Sequence, residues 1–151
     1  MGLNWEKRDE GVYLPVQQTF RSDVLLDSLK YLYDETQDAT GGAHSASLVD
    51  AEGRLRYKAL DIGRHNAVDK VVGMAVLNGD NLSKLFLVSS GRQPAGMVMK
   101  AVRAGIPLLI SKAAPVSSGI DSALRSNITL CCFANGEKAK VFSAPERITW
   151  D

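Results

Sequence analysis

Three short, mostly apolar runs constrain this chain more than any other feature: Leu85-Phe86-Leu87-Val88, Ile106-Pro107-Leu108-Leu109-Ile110 and Ile128-Thr129-Leu130-Cys131-Cys132-Phe133. Each is too short for a stable helix and lacks the strict alternation of a half-exposed strand. Such runs suit strands covered on both faces. The first is followed by Ser89-Ser90-Gly91-Arg92 and a stretch in which Met97, Val98, Ala101 and Val102 recur at helical spacing, stopped at Gly105. A loop over 111–118 and a short helix over 120–124 separate the second run from the third.

The first half adds a helix and a hairpin before this alternation begins. Ser22 is placed to cap a helix bearing Leu25, Leu29, Leu32 and Tyr33, ended by Thr40-Gly41-Gly42. A strand is expected over 43–48 and a turn over 50–53, followed by a return strand over 54–58 with one solvated face. Asn66 then caps a helix with the stripe Val68, Val71, Val72 and Ala75, closed by Asn78-Gly79. At the far end, Asn135-Gly136 signals a hairpin returning through 138–142. The order predicts an α/β domain, a mixed β-sheet with helices on its faces. A length of 151 residues suits one such core and leaves little room for two.

Charge and composition narrow the function classes. A formal net charge of +1 argues against a broad nucleic-acid surface, so any anion site must be built locally. The chain has no apolar run of about 20 residues for a membrane span, and the opening residues do not read as a secretory signal. A cytoplasmic address is expected. The two cysteines, Cys131 and Cys132, are adjacent in a strand, with side chains on opposite faces. Such neighbours cannot form a relaxed disulfide with each other, and at least one of them reads as a small core residue.

Two Gly-Arg steps stand where strands end and helices begin: Gly63-Arg64 and Gly91-Arg92. Glycine admits close approach, the first helical N–H groups are unpaired, and arginine offers a planar fork to phosphate oxygens. The pair points to an anionic ligand such as a nucleotide. Turn glycines with solvated arginines would give the same local pattern. His44 likewise reads as a hydrogen-bonded strand-end histidine or a ligand contact, and Lys112 as solvated or phosphate-bound. Asp61 and Asp69 are too few for a metal site, and Met74, Met97 and Met99 read as core filling.

Taken together, the motifs resemble a family. Thr40-Gly41-Gly42-Ala43-His44, Asp61-Ile62-Gly63-Arg64-His65-Asn66-Ala67-Val68-Asp69-Lys70, Ser89-Ser90-Gly91-Arg92 with Met97-Val98-Met99-Lys100, Ala104-Gly105-Ile106-Pro107 and Ser111-Lys112-Ala113-Ala114-Pro115 resemble, in the same order, the FdhD family of formate dehydrogenase accessory sulfurtransferases. The resemblance runs over about residues 20–142. It implies a cytidine-deaminase-like fold without that fold's zinc site, and the chain has no His-x-Glu with Pro-Cys-x-x-Cys.

The resemblance also implies a role. Such proteins take persulfide sulfur from a cysteine desulfurase and pass it to the molybdenum cofactor, bis-molybdopterin guanine dinucleotide, before it enters formate dehydrogenase. They tend to be homodimers, and GDP is the expected mimic of the cofactor's guanine half. The cofactor-binding residues so implied are Gly41, Gly42, His44, Gly63, Arg64, His65, Asn66, Ser90, Gly91, Arg92, Ser111 and Lys112, together with Phe133, Ala134, Asn135, Gly136, Glu137 and Lys138. No metal ligand and no catalytic residue is assigned.

The sequence departs from the family in three places. The family's Cys-x-x-Cys sulfur relay lies upstream of the helix that begins near Ser22, and residues 1–21 contain no cysteine. Leu60 stands where the family has an acid before Asp61, and Pro94 and Gly96 replace polar and acidic residues after Gly91-Arg92, so the second anion site is expected to be altered. In the family's terms, residues 1–18 form a tail or linker remnant and residues 19–151 the C-terminal domain. Two readings stay open: the cofactor-handling part of a sulfurtransferase accessory protein, or a guanine-nucleotide or cofactor-binding module without sulfurtransferase activity. A hydrolase on the same fold is disfavoured by the missing zinc ligands.

Overall fold

The computed structural model describes residues 12–32 and 43–150. The chain enters through a two-residue strand β1 (Phe20–Arg21), helix α1 (Ser22–Asp27) and a 3₁₀ turn (Ser28–Leu32). The hairpin β2 (His44–Asp50) and β3 (Leu55–Asp61) follows, then helix α2 (Arg64–Leu77). The alternating part runs β4 (Leu85–Ser89), α3 (Ala95–Arg103), β5 (Leu108–Ser111), α4 (Ser117–Ser126) and β6 (Thr129–Cys132). Two short strands, β7 (Lys140–Val141) and β8 (Ile148–Thr149), complete it.

Six strands form one mixed sheet in the order β3-β2-β4-β5-β6-β7. The three apolar runs supply β4, β5 and β6, which lie parallel, while β2, β3 and β7 run antiparallel to their neighbours. Parallel neighbours need a crossover, and α3 and α4 provide the two. Alternation along β5 divides the core, since Leu109 joins the layer with Val68, Val71, Met97, Val98 and Ala123 from the three helices. Leu108 and Ile110 join the opposite layer with Phe20, Leu25, Phe86 and Ile148. There Phe20 meets Phe86 edge-on, with ring centroids 5.3 Å apart. Each such fully buried side chain contributes about 1.5–3 kcal/mol relative to exposure.

Several element boundaries differ from the sequence expectation, each for a local reason. Ser22 is not a cap. Phe20 and Arg21 pair in parallel with Ile148 and Thr149, which keeps the chain extended up to Arg21, and Arg21 takes the N-cap position without a side-chain cap. Neither is Asn66 a cap: Gly63 holds that position, and the turn is tied by Asp61 Oδ1, which accepts the Gly63 N–H at 2.9 Å. The second apolar run becomes strand only from Leu108. Gly105, at φ 81°, and Ile106 close α3 by donating to Val102 and Ala101, and Pro107 has no N–H for a ladder.

Helix α4 extends on both sides of the expected 120–124 segment, because Gly119 lets its first turn settle on the loop before α3. A β-carbon there would stand 1.9 Å from the Gln93 carbonyl oxygen. The last hairpin exists, pairing Cys131 with Val141 and Cys132 with Lys140, but Asn135-Gly136 is not a tight primed turn. Such turns need positive φ at their centre, and the left-handed residue here is Phe133, at φ 54°. Asn135 instead closes the loop through its side chain, whose Oδ1 accepts the Glu137 and Lys138 N–H groups at 2.8 and 3.0 Å.

Residues 12–18 carry no regular secondary structure, yet Leu14 donates its N–H to Ser126 at 2.8 Å. The fully buried Arg147 donates to the carbonyls of Leu14 and Pro15 at 2.8 and 3.0 Å, and also to the Asn127 carbonyl. One guanidinium thus ties the entering segment to the end of α4. Among the described residues no helix is long and apolar enough to cross a membrane.

Candidate functional site

The sheet topology brings distant motifs to one edge. Strand β2 begins where β4 ends, with Ala46 opposite Ser89, and β3 ends beside it, with His44 opposite Asp61. Ser89 in turn lies opposite Ser111, and Ile110 opposite Cys131. The carboxyl ends of the three parallel strands therefore line up with the start of β2 and the first turn of α2. This is where an open α/β sheet leaves a crevice for ligands.

Ser90 joins two of these strands. Its Oγ accepts the Ser45 N–H at 2.9 Å and lies 3.3 Å from His44 Nδ1, while its own N–H donates to the Ser45 carbonyl at 3.1 Å. Gly91 is held still more firmly, by hydrogen bonds from its N–H to Ser89 and to its carbonyl from Ser111 and Gln93. Gly91 is also where the two Gly-Arg steps meet. Its α-carbon lies under the aliphatic stem of Arg64, and an added β-carbon would stand 2.9 Å from both Cβ and Cδ of that side chain.

The charges at this edge are mostly cationic. Arg64 Nε is buried and has no hydrogen-bond partner. Arg92 and Lys112 are exposed, and Lys112 donates its N–H to the Ser89 carbonyl at 3.3 Å. Asp61 does not offset them, being engaged by Lys70 at 2.8 Å. That ion pair, helped by the Gly63 N–H, holds its carboxyl at about 2, so it stays ionised. His65 sits beside Gly96 and is held below its ordinary value, first by burial and then by Lys100 and Arg64. It is a neutral imidazole near pH 7.

Other expected residues fall elsewhere. Gly41 and Gly42 lie outside the described residues. Asn66 is in the first turn of α2, with Nδ2 3.5 Å from Asp61 Oδ1. Phe133 stays at the edge, its N–H donating to the Ala113 carbonyl at 3.0 Å. Its exposed ring lies 6.3 Å from Phe142 and 5.5 Å from Lys140 Nζ. Ala134 is buried and donates to the Ser111 carbonyl at 3.0 Å, while Asn135 and Gly136 are exposed on the loop. Glu137 and Lys138 line a cleft of about 200 Å³ under α1, with Leu25, Leu26, Cys131 and Trp150.

The two thiols sit in different layers, Cys132 under the three helices and Cys131 on the other face. Burial pushes both up to about 12, so neither carries thiolate at neutral pH. Among the described residues no group of His, Cys, Asp or Glu is arranged to hold a metal ion. Gln93 and Ser89, absent from the sequence-based site, turn out to organise it. Nothing at Gln93 distinguishes it in sequence from an ordinary polar residue at a helix start.

The family model for the FdhD/NarQ family matches residues 2–149. Among relatives, the sulfur carrier protein FdhD of Methanothermobacter thermautotrophicus is 46% identical over 109 residues, 72% of this chain and 43% of the relative. That of Thermoplasma volcanium is 42% identical over 155 residues, 97% of this chain and 56% of the relative. A crystal structure described as a formate dehydrogenase accessory protein, from Desulfotalea psychrophila, superposes with a TM-score of 0.84 at 32% identity, covering 95% of this chain and 62% of that one. The chain thus spans about half the length of the relatives it matches.

Proposed function

The chain belongs to the FdhD/NarQ family, and from that premise we propose that it is the cofactor-handling part of a formate dehydrogenase accessory protein. Its cargo in this reading is the molybdenum cofactor, bis-molybdopterin guanine dinucleotide, held by a guanine nucleotide arm at the carboxyl edge of the sheet. When bound, the cofactor supplies the metal centre that receives sulfur. This chain's residues bind and orient its nucleotide portion. Arg64, Arg92 and Lys112 would meet phosphate oxygens, and the exposed Phe133 ring would stack on a planar base.

One observation carries the reading: the contact of Arg64 with Gly91, which makes two separate Gly-Arg steps into one cationic crossing. A buried arginine nitrogen without a partner costs stability. At a ligand site that donor gains its acceptor when the anion arrives. The cysteine environment favours a binding role over sulfur transfer for this chain alone, since both thiols are buried and protonated. Cysteine desulfurase, formate dehydrogenase and a second copy of the chain are the partners this reading calls for, in the cytoplasm.

Calorimetric titration with GDP tests it. Saturable binding, with ADP weaker, is the expected outcome. A chain that takes up no GDP at millimolar concentration is not a nucleotide-handling module.

A further inference from the structure

Gln93 is fully buried between the two loops that bracket the candidate edge. Its main chain joins them: its N–H donates to the Ala114 carbonyl at 3.2 Å, and its carbonyl accepts the Val116 N–H at 3.2 Å. Its side chain reaches back to the preceding turn, where Nε2 donates to the Gly91 carbonyl at 2.8 Å. Ser111 Oγ donates to the same carbonyl at 2.7 Å, and Ser89 Oγ accepts the Gly91 N–H at 3.1 Å. Two buried side-chain donors on one carbonyl fix the plane of the Gly91–Arg92 peptide.

That plane decides where the next donor points. In a trans peptide the C=O and the following N–H face opposite ways, and no peptide bond among the described residues is cis. With the Gly91 carbonyl drawn toward Ser111 and Gln93, the Arg92 N–H faces away from both. It meets no acceptor among the described residues, and the Arg92 side chain beside it is exposed.

We infer that the Arg92 main-chain N–H, held outward by Gln93 and Ser111, is an anion donor of this edge, and that Gln93 is its positioning residue. The ligand group is a phosphate, and this assignment rests on the nucleotide-binding reading above. A main-chain N–H cannot distinguish one base from another, but it suits an oxyanion, especially beside arginines that supply charge. The chemistry of Gln93 favours positioning over mere packing. Its Oε1 is buried without a partner, a cost that a leucine of similar volume would remove. In Gln93→Leu the lost Nε2 bond is offset by relief of that oxygen, and the Gly91 carbonyl keeps Ser111 Oγ as a donor.

Guanosine, GDP and inorganic pyrophosphate titrated into the wild type and Gln93→Leu test the inference. The variant should keep its thermal midpoint and its guanosine affinity, and lose about tenfold in affinity for GDP and pyrophosphate, the worth of one hydrogen bond. Loss with all three ligands alike, or with none, overturns it. A wild type that binds pyrophosphate but neither guanosine nor GDP keeps the anion donor and removes the nucleotide reading; one that binds none of the three removes both. Should Gln93→Leu fail to fold, the wild-type Arg92 amide proton decides. It should move downfield on addition of pyrophosphate, and an unmoved resonance in the bound protein overturns the inference.

Discussion

The aliphatic stem of Arg64 lies across the α-carbon of Gly91, leaving no room for a β-carbon: one placed there would stand 2.9 Å from two of its carbons. The glycine is required by this approach rather than by its backbone, because Gly91 is not among the glycines with positive φ. Gly91→Ala should therefore displace Arg64 and cost about 1–3 kcal/mol of stability, as overpacking does. Arg64→Ala removes the obstacle, so the double variant should be less destabilised than the two single effects added. Urea denaturation of the four proteins measures this coupling.

The same arginine should matter to binding. Arg64→Ala or Arg92→Ala is expected to weaken GDP by about 1.5–3 kcal/mol, the range for a hydrogen bond to a charged group. Calorimetry giving unchanged affinity in both variants would remove the phosphate role from this edge.

How much of this was legible in sequence differs from residue to residue. The runs 85–88, 106–110 and 128–133 announced three buried strands, because continuous apolarity over a short length has few other uses. Cys131 and Cys132 were correctly placed on opposite faces by strand geometry alone. The meeting of Gly63-Arg64 with Gly91-Arg92 was not visible, since it depends on β2 and β4 being neighbours, a tertiary fact. Ser22 and Asn66 looked like caps because their residue types favour that role. What overrode them were a parallel pairing with Ile148 and Thr149 and a tie from Asp61. Gln93 was invisible for a similar reason, as its partners Gly91, Ala114 and Val116 come from two separate loops.

Arg147 offers a test of the fold apart from the site. Its guanidinium reaches the carbonyls of Leu14, Pro15 and Asn127 and the Thr129 hydroxyl, with no carboxylate partner among the described residues. Arg147→Met would take this donor from the Pro15 and Asn127 carbonyls, while the Leu14 carbonyl keeps Asn127 Nδ2 at 2.9 Å and the Thr129 hydroxyl keeps the Ala144 carbonyl at 2.6 Å, so a loss of about 1–3 kcal/mol is expected in urea denaturation. Arg147→Lys should recover little, because an ammonium cannot span the spread of a planar fork.

Asp61 predicts a pH dependence of definite sign. Its carboxyl is depressed from 3.8 to about 2, chiefly by Lys70 and then by the Gly63 N–H. A depressed carboxylate contributes stability that is present above its unfolded value and lost as pH falls through the folded one. Stability should therefore decline between about pH 4 and pH 2, and Asp61→Asn should flatten that part of the profile. Denaturation midpoints across this range show it; an identical slope in the variant would place the acid sensitivity elsewhere.

The final expectation is that this chain, by itself, does not carry sulfur. A persulfide carrier needs an accessible thiolate, usually in an electropositive loop and often near a second cysteine. Here both thiols lie in β6, at 1% and 0% exposure, and burial pushes them up to about 12. Cys131 lines the cleft under α1. Even there the group is a neutral thiol walled by Leu25, Leu26 and Ile148, without the exposure that a protein-sized donor requires. Incubated with a cysteine desulfurase, cysteine and a persulfide-trapping reagent, the chain should gain no sulfur by mass spectrometry. A stoichiometric gain that vanishes in Cys131→Ser would show that the strand opens to the donor, and would move the sulfur relay to this face of the sheet.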